Sequence, residues 1–249
     1  MSHWVVRPRP SLQPQLRLFC FAYAGGSAWI FRDWAKQLPD TVELCAIELP
    51  GRGKRMMESA LTNLPTLVQA LGSAILPYVE GPFVCFGHSL GALVAFELCR
   101  WLRRTVQLSP AHLWVSAARA PHLPASADRP TMHTLSEAQF IAELQRYNGT
   151  PASVLDNAEL MELMLPILRA DFTILETYRH QPDAPLDCPI TGFWGTQDGI
   201  VTEADVTAWE THTAQFVSEM VVGEHFFLQQ PDFLQRLLPR LNELSRTAF

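Results

Sequence analysis

Six short apolar runs recur along the chain, at Leu16–Tyr23, Val42–Leu49, Phe83–Phe86, His112–Ala117, Ile190–Trp194 and Phe216–Val222. They are rich in β-branched and aromatic residues and mostly continuous in hydrophobicity, the pattern of strands buried on both faces of a parallel sheet. Between them the apolar spacing changes to a helical period, as at Leu64, Leu67, Val68, Leu71 and Ile75. The clearest helix spans Leu90–Arg104, whose last turns hold Arg100, Arg103 and Arg104, where cations suit the helix dipole. Strands alternating with helices predict an α/β fold with a mostly parallel central sheet flanked by helices.

The alternation breaks between residues 120 and 188. Pro121, Pro124 and Pro130 open this stretch, Pro182, Pro185 and Pro189 close it, and inside lie two helical patterns, Ser136–Tyr147 and Asp156–Tyr178. The expected division is a core made of 1–119 and 189–249, with 120–188 as a helical lid over one end of the sheet. Phe83–Leu102 is nearly apolar over a membrane-spanning length. It also contains His88, Ser89, Glu97 and Arg100 with two glycines between, so a strand, a tight turn and a buried helix describe it better.

Composition narrows the partners. Hydrophobic residues at 48% and charged residues at 18% suit a folded domain with a sizeable core. The 19 basic against 25 acidic residues give a net charge of −6, which argues against nucleic acid as the main partner. The five cysteines show no CxxC pair and no zinc-type spacing with histidine, so reduced thiols in a cytoplasmic protein and no metal are expected. Residues 1–10 lack the apolar segment and cleavage site of a signal peptide.

Gly87-His88-Ser89-Leu90-Gly91 is a GxSxG pentapeptide between a predicted strand and a predicted helix. In that context it describes a serine forced onto a sharp turn at the carboxyl end of the strand. A serine hydroxyl needs an adjacent base. Of eight histidines, His225 falls just after the last strand, where a loop returns over the sheet. Asp198 follows the strand Ile190–Trp194, whereas Asp183 and Asp187 precede it and Glu203 and Asp205 lie further on. The predicted catalytic set is therefore Ser89, His225 and Asp198, the acid holding the imidazole tautomer. The oxyanion would take the backbone N–H of Leu90 and a second from the loop Ala22–Ser27, assigned to Ala24 with Tyr23 as the neighbouring alternative.

These residues resemble the type II thioesterases of polyketide and nonribosomal peptide assembly lines, members of the α/β-hydrolase superfamily. The resemblance covers nearly the whole chain. It rests on Ala24-Gly25-Gly26-Ser27, Leu49-Pro50-Gly51-Arg52, the pentapeptide running on to Phe96-Glu97, and Ala120-Pro121. It continues with Leu168-Arg169-Ala170-Asp171, Asp198 followed by Trp209, and His225-Phe226-Phe227-Leu228. Ala117 stands where the family often has glycine, and Glu224 precedes the histidine where the family has a small or different residue.

The resemblance implies an α/β-hydrolase fold and hydrolysis of acyl thioesters on the phosphopantetheine arm of acyl or peptidyl carrier domains, with no cofactor beyond that arm of the substrate. No carrier-type Asp-Ser-Leu attachment site appears in this chain, so the carrier is expected on another polypeptide or domain, and a monomer is expected. Met132, Phe140, Leu144, Leu163, Met164, Ile167 and Leu168 would then line an acyl pocket, the alternative being that they pack the lid onto the core. Arg52, Lys54 and Arg55 would offer a basic face to an acidic carrier, the alternative being a solvated loop. The same triad also suits a general carboxylesterase or lipase, or an acyltransferase, and a binding protein on an inactive hydrolase fold is a further class.

Overall fold

The computed structural model describes residues 3–124, 129–147 and 157–247. The six apolar runs become strands of one sheet, joined by a short strand that the patterning did not predict. The strands are β1 (Val5–Val6), β2 (Leu16–Phe21), β3 (Val42–Ile47), β4 (Phe83–His88), β5 (His112–Ser116), β6 (Ile190–Gly195) and β7 (Phe216–Val221). Their order is β1-β3-β2-β4-β5-β6-β7, with β2 to β7 parallel and β1 antiparallel to β3. The N-terminal segment is therefore tied to the sheet, Val5 opposite Ile47, and Arg7 and Arg17 both pair with Glu43, an acid buried inside β3.

Helices α1 (Trp34–Gln37), α2 (Leu64–Ile75) and α3 (Leu90–Val106) alternate with the first strands. Helices α4 (Glu137–Tyr147) and α5 (Ala158–Thr177) belong to the insertion, and α6 (Glu203–Thr207) and α7 (Phe233–Thr247) close the chain. Successive strand residues point to opposite faces. Phe19 and Phe21 join the core under α2 and α3, while Leu18 and Cys20 join Phe86, Trp114, Phe193 and the apolar stripe of α7. Trp114 and Phe86 are fully buried, which explains why these strands read as continuous hydrophobic runs. β7 has a neighbour on one side only and leaves Val217 and Met220 about half exposed, so its apolar run marks an edge. All five cysteines are free and buried.

The insertion has a small core of its own, built from Met132, Phe140, Leu144, Met161, Leu165, Leu168 and Phe172. α5 begins where Asn157 accepts a hydrogen bond from the Leu160 amide, an N-cap. The helical pattern expected from Asp156 starts outside the described residues, as do 125–128 and 148–155 of the insertion.

Because β3 and β4 lie on opposite sides of β2, the direction of winding reverses at β2. Open α/β sheets bind ligands in the crevice at the carboxyl ends of the strands flanking such a reversal. Here that crevice lies between the loop after β2 and the turn after β4.

Candidate active site

Ser89 sits between the last residue of β4 and the first of α3, with φ 53° and ψ −116°. A non-glycine residue in that region is strained by about 1–3 kcal/mol. The turn is held from β5, whose Ser116 carbonyl accepts the Ser89 amide at 2.8 Å. The two flanking glycines have different neighbours to avoid. A Cβ on Gly87 would collide with the Gly91 carbonyl and Ala92, and one on Gly91 would collide with the Phe21 carbonyl of β2. Ala117, at the end of β5, also has positive φ, 47°. A Cβ in left-handed backbone costs roughly 1–2 kcal/mol, so glycine would sit there with less strain than Ala117.

His225 and Asp198 meet across the carboxyl ends of β6 and β7. His225 Nδ1 donates to Asp198 Oδ2 at 2.8 Å, and both side chains are buried. The other carboxylate oxygen, Oδ1, accepts the backbone amides of Ile200 at 2.7 Å and Val201 at 3.0 Å. The carboxylate can only accept, so these contacts place the His225 proton on Nδ1 and leave Nε2 with its lone pair. Among the described residues, neither Ser89 Oγ nor His225 Nε2 makes a hydrogen bond. Such a link often forms only when substrate is bound.

The competing groups lie elsewhere. His122 and His180, at the two ends of the insertion, pack ring on ring with His212 after α6, with centroids 4.9 to 6.4 Å apart. Burial and the two neighbouring imidazoles push His212 down to about 4. His133 is paired with Glu176, and His112 stands at the amino end of β5. Asp183 pairs with Arg103 and Arg104, and Asp205 pairs with Arg119 and closes the capping box of α6.

The loop after β2 forms a tight turn from Tyr23 to Gly26, with Gly25 at φ 75° and the Gly26 amide donating to the Tyr23 carbonyl at 2.9 Å. A positive φ at the third residue is the signature of a type II turn. The Tyr23 carbonyl and the Ala24 N–H share one planar trans peptide and so point in opposite directions. With the carbonyl turned into the turn, the Ala24 N–H is directed out of it. Among the described residues neither that amide nor the Leu90 amide, first in α3, donates to a protein acceptor.

His88 had no role in the sequence reading beyond its place in the pentapeptide. It is fully buried, with Nε2 2.9 Å from the His225 carbonyl and Nδ1 2.9 Å from Ser116 Oγ. A carbonyl only accepts, so Nε2 carries the proton and Nδ1 accepts from the Ser116 hydroxyl. Burial, reinforced by nearby His225, holds His88 well below the usual imidazole range and keeps it neutral. The residue before the serine thus ties down the backbone of the histidine loop. His88→Leu is expected to destabilise the fold by about 2–3 kcal/mol, because the His225 carbonyl and the Ser116 hydroxyl lose their partner. Urea denaturation of the variant measures this.

Packing bears on two groups of expected contacts. Met132, Phe140 and Leu144 are buried in the core of the insertion, Phe140 edge-on to Phe172, which is the lid-packing role given as the alternative to an acyl pocket. Leu168 belongs to that core too, but its side chain also presses on Gly25, with Met164 beside it. Leu163 is exposed and Ile167 half-buried. The cavity of about 440 Å³ between α2, α3 and the end of α5 is lined by residues such as Glu97, Arg100, Trp101 and Tyr178, and by none of Ser89, Asp198 or His225.

In the loop after β3, Lys54 is exposed as expected, but Arg52 and Arg55 are buried. Arg52 forms a two-armed ion pair with Asp171, both contacts at 2.8 Å. Arg55 spends its guanidinium on Glu58, the Glu48 carbonyl and the ring face of Trp4. Neither presents its charge to a partner.

Residues 16–244 match the family model described as thioesterase domain. The gramicidin S biosynthesis protein GrsT of Aneurinibacillus migulanus is 42% identical, over 94% of this chain and 91% of its own. A Brevibacillus parabrevis protein named linear gramicidin dehydrogenase LgrE is 43% identical, over 91% of this chain and 87% of its own. Among solved structures, the type II thioesterase BorB from the borrelidin biosynthetic cluster superposes with a TM-score of 0.86 at 33% identity, covering 98% of each chain.

Proposed function

The chain belongs to the thioesterase family, and we propose that it hydrolyses acyl thioesters from the phosphopantetheine arm of carrier proteins in a polyketide or nonribosomal peptide pathway. The observation that carries this reading is the hydrogen bond from His88, the residue before Ser89, to the His225 carbonyl, which ties the loop bearing the His225–Asp198 pair to the serine turn. The dehydrogenase in one relative's name is not carried over. Where a dinucleotide-binding fold places GxGxxG after its first parallel strand, this chain has Ala22-Tyr23-Ala24-Gly25-Gly26-Ser27.

In the proposed reaction His225 Nε2 takes the Ser89 proton as Oγ bonds to the thioester carbon. The carbonyl electron pair moves onto oxygen, where the Ala24 and Leu90 amides stabilise it. Collapse of this intermediate breaks the C–S bond, and His225 gives its proton to the departing thiolate. Water then loses a proton to Nε2 and attacks the acyl-serine. A second oxyanion forms and collapses, releasing the carboxylic acid and returning the proton to Ser89. Asp198 stabilises the imidazolium throughout and takes no proton.

No helix among the described residues is long and apolar enough to cross a membrane. Five buried free thiols support a cytoplasmic setting, where they stay reduced. The test is thiol release from acyl-phosphopantetheinyl carrier proteins, run beside oxygen esters of the same acyl groups. Faster release from the carrier thioester is expected. Oxygen-ester turnover with an inert carrier substrate would move the protein to the general esterases.

A further inference from the structure

The oxyanion turn is gripped from the lid. Asp171, on α5, is 1% exposed at its side chain and lies 146 residues from the turn in sequence. Its Oδ2 accepts the Gly25 amide at 2.7 Å, one peptide beyond Ala24. The same carboxylate receives both arms of Arg52, whose Nη1 also reaches the Gly26 carbonyl at 3.2 Å. Asp171 and Arg52 thus hold the Gly25–Gly26 segment through a donor and an acceptor at once, while Leu168, one helical turn earlier on α5, packs against Gly25.

This arrangement has two consequences for the Ala24 amide. A glycine-rich turn has several accessible backbone conformations, and the carboxylate selects the one in which the Gly25 N–H points at α5. A lone carboxylate so near the site of a developing oxyanion would oppose it, and the Arg52 guanidinium cancels that charge locally. The clamp therefore fixes the turn without placing net charge beside it.

We propose that Asp171 is a positioning residue for catalysis, and that the oxyanion hole is assembled only while the lid helix α5 is docked on the Tyr23–Gly26 turn. The proposal rests on the reading of Ala24 as an oxyanion donor. Lid position and transition-state stabilisation are then coupled, because a residue that helps dock the helix, beside Ile174 in the main core, also orders the turn.

The experiment compares wild type, Asp171→Ala, Asp171→Asn and Ser89→Ala on hexanoyl-S-N-acetylcysteamine. Binding is measured for the matching trifluoromethyl ketone, which forms a tetrahedral oxyanion on serine, and for the non-hydrolysable thioether. Removing an oxyanion donor costs about 10²–10³-fold in kcat, so misplacing one in Asp171→Ala is expected to lower kcat about 10–100-fold with KM within about twofold. Trifluoromethyl ketone affinity should fall in parallel, and thioether affinity should hold. Asp171→Asn keeps an oxygen for Gly25 and Arg52 Nη1 but turns its NH₂ donor against Arg52 Nη2, so its kcat should lie between those of Asp171→Ala and wild type. A wild-type kcat in Asp171→Ala overturns the proposal, as does equal weakening of ketone and thioether, which is the mark of a merely structural lid contact. Turnover surviving in Ser89→Ala overturns the serine mechanism instead, a separate outcome.

Discussion

Ser89→Ala is expected to reduce thioester turnover by about 10⁴–10⁶-fold while leaving substrate binding and folding nearly unchanged. The hydroxyl is the only group at the elbow able to form the acyl-enzyme, and its loss removes the whole covalent route. What would remain is the oxyanion hole proposed at Ala24 and Leu90 together with binding, a combination that in other serine hydrolases still exceeds the water reaction by about 10³–10⁴-fold. The structural cost is small because Ser89 Oγ makes no hydrogen bond among the described residues, and alanine inherits the same φ of 53°. A change within about 0.5 kcal/mol is expected, the range of substitutions that break no packing or polar contact. Single-turnover kinetics with mass detection of acyl-Ser89, alongside thermal unfolding, check both halves. Turnover at the wild-type level would show that Ser89 is not the nucleophile.

Asp198→Asn is expected to lower kcat by about 10⁴-fold, although it changes one atom. Its Oδ1 is committed to the Ile200 and Val201 amides, so the asparagine oxygen occupies that side and the NH₂ group replaces Oδ2. A donor then faces His225 Nδ1, which must become the acceptor, and the ring proton moves to Nε2. The nitrogen that should receive the Ser89 proton already carries one. KM should change little, because the Asp198 carboxylate is fully buried against the imidazole. Steady-state kinetics and the nitrogen chemical shifts of His225, which report the tautomer, check this. A wild-type tautomer with lost activity would point to a steric cause.

Much of this arrangement was legible along the chain because it depends on local rules. Buried parallel strands read as apolar runs, the GxSxG turn needs glycines at two fixed offsets, and the order serine, acid, histidine follows from which strand each loop succeeds. The elements not predicted carry weaker signals: β1 is two residues long, and the apolar stripe of α7 lies among charged residues. His88 is a polar residue inside a fully buried strand, a local conflict that marks a functional contact.

The sequence by itself determined the sheet, the serine elbow and the candidate partners of that serine. Periodicity and turn chemistry are properties of neighbouring residues, and they act before the chain has closed on itself. Only the tertiary structure decided what Arg52, Arg55 and the lid residues do. Arg52 reads as a solvated loop cation until α5, contributing Asp171 from 119 residues away, covers it. Whether an arginine stays in water or enters a buried pair depends on the partner that arrives, because burial without one is prohibitive. That partner is set by helix docking, which no local pattern records.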